Sequence, residues 1–148
     1  MKTLRLTSPK ATSQFGFRLA KTISKKSPRK VGARVLALVG DLGSGKTTFV
    51  QGFMKGLGLT ARITSPTFLI IRRYPLKNLF YRNVFHVDLY RLKTLAELKN
   101  LSFEAILKDN QALVLVEWAD KAKKIFKKAD WISFSHESPR SRVIMLEE

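Results

Sequence analysis

The chain has 148 residues, the size of one domain, so a single unit spanning 1–148 is expected. It is 45% hydrophobic and 26% charged, which fits a globular protein and excludes a disordered one. There is no cysteine, which excludes disulfides, thiolate-bound zinc, iron–sulfur clusters and thiol catalysis, and a reducing, cytoplasmic setting is expected. Lys and Arg number 28 against 11 Asp and Glu, a net charge of +17. Such a chain is expected to adhere to polyanions, nucleic acid first, or to an acidic partner surface. Residues 1–34 hold ten basic residues and no acid, and the first 96 residues hold only two carboxylates, Asp41 and Asp88. A second basic cluster is Lys121, Lys123, Lys124, Lys127 and Lys128.

In chain order, Leu4 and Leu6 begin a short strand. Residues 11–25 read as a helix whose Phe15, Leu19 and Ile23 line one face, and Pro28 in the basic loop Lys25–Lys30 ends it. Val35–Val39 is as long an uninterrupted apolar run as the chain contains. It is far short of the about 20 residues a membrane span needs, and it suits a strand covered on both faces. No apolar h-region follows the N-terminal lysine, so no secretory signal is expected. Gly40–Ser44 is a glycine-rich loop, followed by a helix from Gly45 to about Leu57 with Gly56 and Gly58 as its stop. Thr64–Thr67 is a loop, and Phe68–Tyr74 and Phe80–Val87 form a hairpin across Pro75–Asn78. Residues 94–108 read as a helix, Ala112–Val116 as a buried strand and Ala119–Lys128 as a basic helix. Trp131–Ser135 and Val143–Leu146 close the chain as strands, with Ser138-Pro139 in the turn.

One motif carries chemistry. Gly40-Asp41-Leu42-Gly43-Ser44-Gly45-Lys46-Thr47 matches G-x-x-x-x-G-K-[ST] in full, after an apolar strand and at the opening of an amphipathic helix. Glycines let backbone N–H groups turn inward as an anion nest, and the helix N-terminus adds partial positive charge. Lys46 is expected at the β/γ-phosphates, the Thr47 hydroxyl on Mg²⁺ and the Thr48 hydroxyl near the α-phosphate. The Mg²⁺ also needs a carboxylate at a neighbouring strand end, and two qualify. Asp88 ends Phe85-His86-Val87, and Glu117 ends Leu113-Val114-Leu115-Val116. With only two histidines an imidazole metal cage is not expected, and His86 is expected to be packed or hydrogen-bonded. Trp118 is expected to pack rather than to stack on a base.

Four segments together resemble the TsaE (YjeE) family of small bacterial ATPases. They are Gly40–Phe49, Ser65-Pro66-Thr67-Phe68, His86-Val87-Asp88-Leu89-Tyr90-Arg91-Leu92 and Leu115-Val116-Glu117-Trp118, in register from about Leu4 to Leu146. The resemblance implies an α/β, P-loop NTPase-like fold with a mixed central sheet flanked by helices. It implies Mg²⁺-dependent ATP hydrolysis inside a complex with two paralogous partner proteins. One partner transfers threonylcarbamoyl to the adenosine next to the anticodon of tRNAs, and the ATPase resets the complex between turnovers. It also implies residue roles. Leu42, Gly43, Ser44, Gly45, Lys46, Thr47 and Thr48 wrap the phosphates, and Thr12 lies near the nucleotide. Ser65-Pro66-Thr67 forms a loop that senses the γ-phosphate. Asp88 and Glu117 are the acidic residues of catalysis and of Mg²⁺ binding, with Thr47 as the third metal ligand. Arg140 and Arg142 stand where a late basic residue is common. The chain departs from the family pattern in three places: no acid precedes Tyr74, Ser102 replaces a glycine, and the net charge is higher.

Two other readings share the P-loop. A small nucleotide or metabolite kinase would need an acceptor pocket and an arginine-bearing lid. A module that holds nucleotide only for structure would grip RNA, tRNA included, through its basic face. For the ATPase reading no arginine finger can be assigned, so slow hydrolysis by the chain alone and stimulation by its partners are expected.

Overall fold

The computed structural model describes residues 1–60, 62–63, 70–77 and 79–147. The expected loop Thr64–Thr67, with its Ser65-Pro66-Thr67 motif, and the first residues of the Phe68–Tyr74 strand lie outside them. In chain order the elements are β1 (Lys2–Leu6), α1 (Pro9–Ser24), β2 (Arg34–Val39), α2 (Lys46–Gly56), β3 (Ile71–Pro75), β4 (Asn83–Asp88), α3 (Leu95–Asn100), α4 (Phe103–Lys108), β5 (Ala112–Glu117), a 3₁₀ turn (Ala119–Ala122), β6 (Asp130–His136) and β7 (Arg142–Glu147).

The strands form one mixed sheet in the order β1-β7-β6-β2-β5-β4-β3. The central four, β6, β2, β5 and β4, are parallel, and antiparallel strands flank them at both edges. The expected α/β class with a mixed sheet is therefore what the chain adopts. The reason lies in the apolar runs. Side chains alternate across a strand, so β2 and β5 must bury both faces. Leu36, Leu38, Leu113 and Leu115 pack on one face with Ile23, Phe49 and Phe53 from α1 and α2. Val35, Ala37, Val114 and Val116 pack on the other with Leu98, Phe103 and Phe126. Among the described residues no helix is long and apolar enough to cross a membrane.

The first helix begins two residues earlier than the apolar spacing indicates. Ser8 is extended and its Oγ accepts from the Ala11 N–H at 3.1 Å, while Pro9 opens the helix. Helices α1 and α2 pack backbone to backbone. A Cβ at Gly52 would overlap the Ser13 carbonyl oxygen, and one at Gly16 would overlap that of Phe49. Gly56 also belongs to this contact, against the Phe17 carbonyl, so it does not serve as the helix stop. The stop is Gly58 at φ +86°, beyond a C-cap at Leu57.

Two expected helices differ from what forms. Residues 94–108 break into α3 and α4 at Leu101-Ser102, where Ser102 takes a left-handed φ of +56°. Glycine takes such a φ without strain, whereas in serine the Cβ crowds the backbone there. Residues 119–128 form only the short 3₁₀ turn and further tight turns, with Ala122 and Phe126 buried as anchors. An α-helix there would set Lys124 against Lys121, Lys127 and Lys128 at helical spacings, with repulsion in each pair.

Two changes test this packing. Gly52→Ala gains about 1 kcal/mol of intrinsic helix propensity, yet overpacking against α1 costs about 1–3 kcal/mol. The unfolding midpoint is expected to fall by a few degrees, and a rise would contradict the close approach. Ser102→Gly, by relieving left-handed strain at an exposed turn, is expected to stabilise by about 0.5 kcal/mol, read as a small rise in midpoint.

Candidate functional site

The glycine-rich turn from β2 into α2 lies at the C-terminal edge of the parallel strands, where open α/β sheets bind ligands. Gly45 holds φ +103°, and as the N-cap of α2 it offers no side chain, so the first N–H groups of the helix have no side-chain acceptor. That is the arrangement an anion would complete.

Lys46 is the first residue of α2 and only 4% exposed. Its Nζ donates to the carbonyls of Gly40 at 2.5 Å and Asp41 at 2.9 Å and to Ser44 Oγ at 3.4 Å. It also stands 4.1 Å from the centroid of the Trp118 ring. Burial holds its pKa below the ordinary 10.5, while Glu117, Asp88, Asp41 and Asp120 pull in the opposite direction.

The two strand-end carboxylates are side by side, Asp88 and Glu117 being register partners on β4 and β5. Both are buried. Glu117 is held on both oxygens: Thr47 Oγ1 donates to Oε1 at 2.8 Å, and His86 Nε2 lies 2.6 Å from Oε2. His86 is fully buried, as expected of a hydrogen-bonded imidazole, and its Nδ1 has no partner among the described residues. Asp88 Oδ1 accepts from the Tyr90 N–H at 2.9 Å and thereby shapes the turn after β4.

A cleft of about 310 Å³ gathers these groups. It is lined by Thr12, by Leu42 through Thr48, and by Asp88 and Glu117, so these residues expected from sequence meet in one place, while Ser65-Pro66-Thr67 lies outside the described residues. Their roles differ in detail. Leu42 is 74% exposed at the rim. Thr12 is buried in α1, with its hydroxyl turned to the Ser8 carbonyl at 3.4 Å and its methyl toward Gly45. Arg140 and Arg142 also line the cleft. Arg142 is tied to main-chain carbonyls, donating to Gly43 at 3.1 Å and to Ser138, Pro139 and Ser141.

Sequence reasoning gave no site role to Tyr90 or Trp118. Their rings pack 5.0 Å apart along the cleft wall. Trp118 follows β5 at φ +58°, a left-handed conformation rare for a bulky residue, and this bend lays the indole against Lys46. The available signal was position, since each aromatic stands one or two residues beyond a strand-end carboxylate.

The donor set consists of a lysine ammonium, a helix N-terminus, a threonine hydroxyl and two carboxylates. It fits a triphosphate with Mg²⁺, which takes hard oxygen ligands. Among the described residues no three His, Cys, Asp or Glu side chains converge as a metal cage. A divalent ion here would therefore draw further ligands from phosphate and water.

Strand order, turn and lysine together define a P-loop NTPase-like fold. Against solved structures, the crystal structure of Bacillus subtilis YdiB superposes with a TM-score of 0.70 at 27% identity, over 98% of this chain and 83% of that one. The family model for TsaE, threonylcarbamoyl adenosine biosynthesis protein, matches residues 6–144. The tRNA threonylcarbamoyladenosine biosynthesis protein TsaE of Haemophilus influenzae is 32% identical over 117 residues, covering 79% of this chain and 70% of that protein. The protein of the same name from Bacillus subtilis is 45% identical over 85 residues, 57% of this chain and 50% of its own length. The chain belongs to the TsaE family.

The Lys46 geometry has a consequence for stability. Its charged form is less favourable in the folded chain than in the unfolded one, because the folded pKa is lowered. The resulting destabilisation is complete below the folded pKa and fades as pH rises toward 10.5. The wild type is therefore expected to gain stability relative to Lys46→Met, which has no ammonium to titrate, as pH rises toward 10.5. Melting curves of the two chains from neutral to alkaline pH that stay parallel would contradict this.

Proposed function

We propose that the chain is a Mg²⁺-dependent ATP hydrolase that works with partner proteins in the cytoplasmic synthesis of threonylcarbamoyladenosine in tRNA. The observation that carries this reading is the doubly held Glu117 beside the P-loop lysine. Family membership favours it over a small-molecule kinase or a purely structural nucleotide site.

In this reading the phosphates of ATP lie over the first turn of α2 and take the Lys46 ammonium from the Gly40 and Asp41 carbonyls. The ammonium thereby recovers the charge compensation that burial denies it. Gly43, Ser44, Gly45 and Thr48 line the phosphate path, and Thr12 and Leu42 border the rest of the nucleotide. Thr47, Asp88 and Glu117 would hold Mg²⁺, which supplies charge neutralisation on the transferring phosphoryl group. Glu117 orients the attacking water and accepts its proton. His86 acts as a positioning residue, fixing one carboxylate oxygen so that the other meets the Thr47 hydroxyl at the cleft. The Arg142 guanidinium is already engaged with main-chain carbonyls, so transition-state charge lacks a second mobile cation from that residue. Hydrolysis by the chain alone is accordingly slow and is raised when the two partner proteins of the threonylcarbamoyl-transfer complex bind.

Steady-state phosphate release with partners and tRNA present tests this. Glu117→Gln is expected to lower kcat by about 10²-fold or more while ATP still binds, on the scale of losing a general base. Lys46→Ala is expected to abolish ATP binding itself. Undiminished turnover in Glu117→Gln would contradict the assignment.

A further inference from the structure

The cleft engages few of the chain's cations and leaves most of the +17 charge without a role. Five cations fall between Lys25 and Arg34, and five more between Lys121 and Lys128. The fold lays these distant stretches side by side. Arg29 Nη1 donates to the Lys128 carbonyl at 2.7 Å, and its Nη2 meets Asp130 Oδ1 at 2.8 Å. Arg34 Nε meets Asp130 Oδ2 at 3.1 Å. Asp130 is the one carboxylate in the two stretches 25–34 and 121–130, and both its oxygens are committed to those arginines.

The remaining side chains, Lys25, Lys26, Lys30, Lys123, Lys124, Lys127 and Lys128, are exposed, and among the described residues no ion pair engages them. The surface they share is a stripe. At one end Lys121 Nζ donates to the Tyr90 carbonyl at the rim of the cleft. At the other, Arg34 opens β2, away from the edge where that strand enters the P-loop. Like charges gathered this way repel and destabilise the compact state, unless an external anion compensates them.

We propose that this stripe binds the sugar-phosphate backbone of RNA, independently of nucleotide in the cleft. The choice of RNA among polyanions rests on the tRNA-modification reading above. The placement of the surface does not. Of the exposed large apolar side chains, only Val31 falls in either stretch. A lipid surface needs apolar insertion as well as charge, and a protein interface needs an apolar core. A phosphate backbone needs only spaced cations.

The test measures fluorescence anisotropy of a labelled, unmodified tRNA transcript against salt concentration. It compares the wild type with two chains of equal net charge. One reverses Lys123, Lys124, Lys127 and Lys128 to Glu, and the control reverses Lys10, Arg18, Lys21 and Lys55. A third chain carries Gln at the four stripe positions, and thermal melts verify that each chain is folded. The expected result is at least a tenfold loss of affinity in the stripe variants. The slope of log affinity against log salt should also be shallower by about 3, from four phosphate contacts at about 0.7–0.9 each. The control should lose distinctly less, and Lys46→Ala should bind the transcript as the wild type does. Equal losses in stripe and control variants would overturn the proposal, as would tighter binding of polyglutamate or of phosphatidylserine vesicles than of tRNA. Because Lys46→Ala separates the two readouts, failure here is distinguishable from failure of the ATPase reading.

Discussion

The carboxylate of Glu117, gripped on one oxygen by Thr47 and on the other by His86, is the contact on which the site depends. Thr47 belongs to the helix that follows β2, His86 to β4, and Glu117 ends β5 between those strands. Three chain segments are thereby locked at the same edge of the sheet, with His86 and Glu117 buried and Thr47 half-buried at the cleft. In such surroundings an unmatched carboxylate would be strongly unfavourable, and two well-placed donors make its burial tolerable. The neighbouring Asp88 is held in the same row by parallel register, with the Leu89 N–H donating to the Glu117 carbonyl at 3.1 Å. The acidic pair is therefore a product of strand pairing, and loop geometry contributes only the turn at Tyr90.

Opposite this pair stands the lysine. Its ammonium is satisfied within its own loop and against an indole face, so the P-loop keeps its shape through contacts the chain itself provides. The close seating of α1 on α2, made possible by small residues at Gly16, Gly52 and Gly56, fixes the helix whose N-terminus opens the cleft. It also brings Thr12 to the phosphate loop. Packing far from the chemistry thus sets the position of the groups that would perform it.

Much of this was legible in the residues. The unbroken apolar runs of β2 and β5 require cover on both faces, which fixes an α/β architecture. The motif after the first run locates the phosphate loop, and strand-end acids stand out in a chain with so few. Other features were not legible because they arise only in three dimensions. Whether Gly56 ends a helix or admits a neighbouring backbone depends on α1. The break at Ser102 depends on a left-handed turn that serine adopts against its preference. The basic stretch 119–128 carries helical spacing in its apolar residues, yet repulsion among its lysines and the bend at Trp118 leave it as turns. The roles of Tyr90 and Trp118 depend on how two strand ends sit beside one another.

The proposed function requires a Mg²⁺-bound adenine nucleotide in the cleft formed by the β2–α2 turn and the ends of β4 and β5. Titration calorimetry of ATP into the purified chain, with and without Mg²⁺, measures this binding. Saturable binding at one site per chain is expected, tighter with the ion than with a chelator. Absence of heat at millimolar ATP with Mg²⁺ supplied, in a chain shown to be folded, would contradict it.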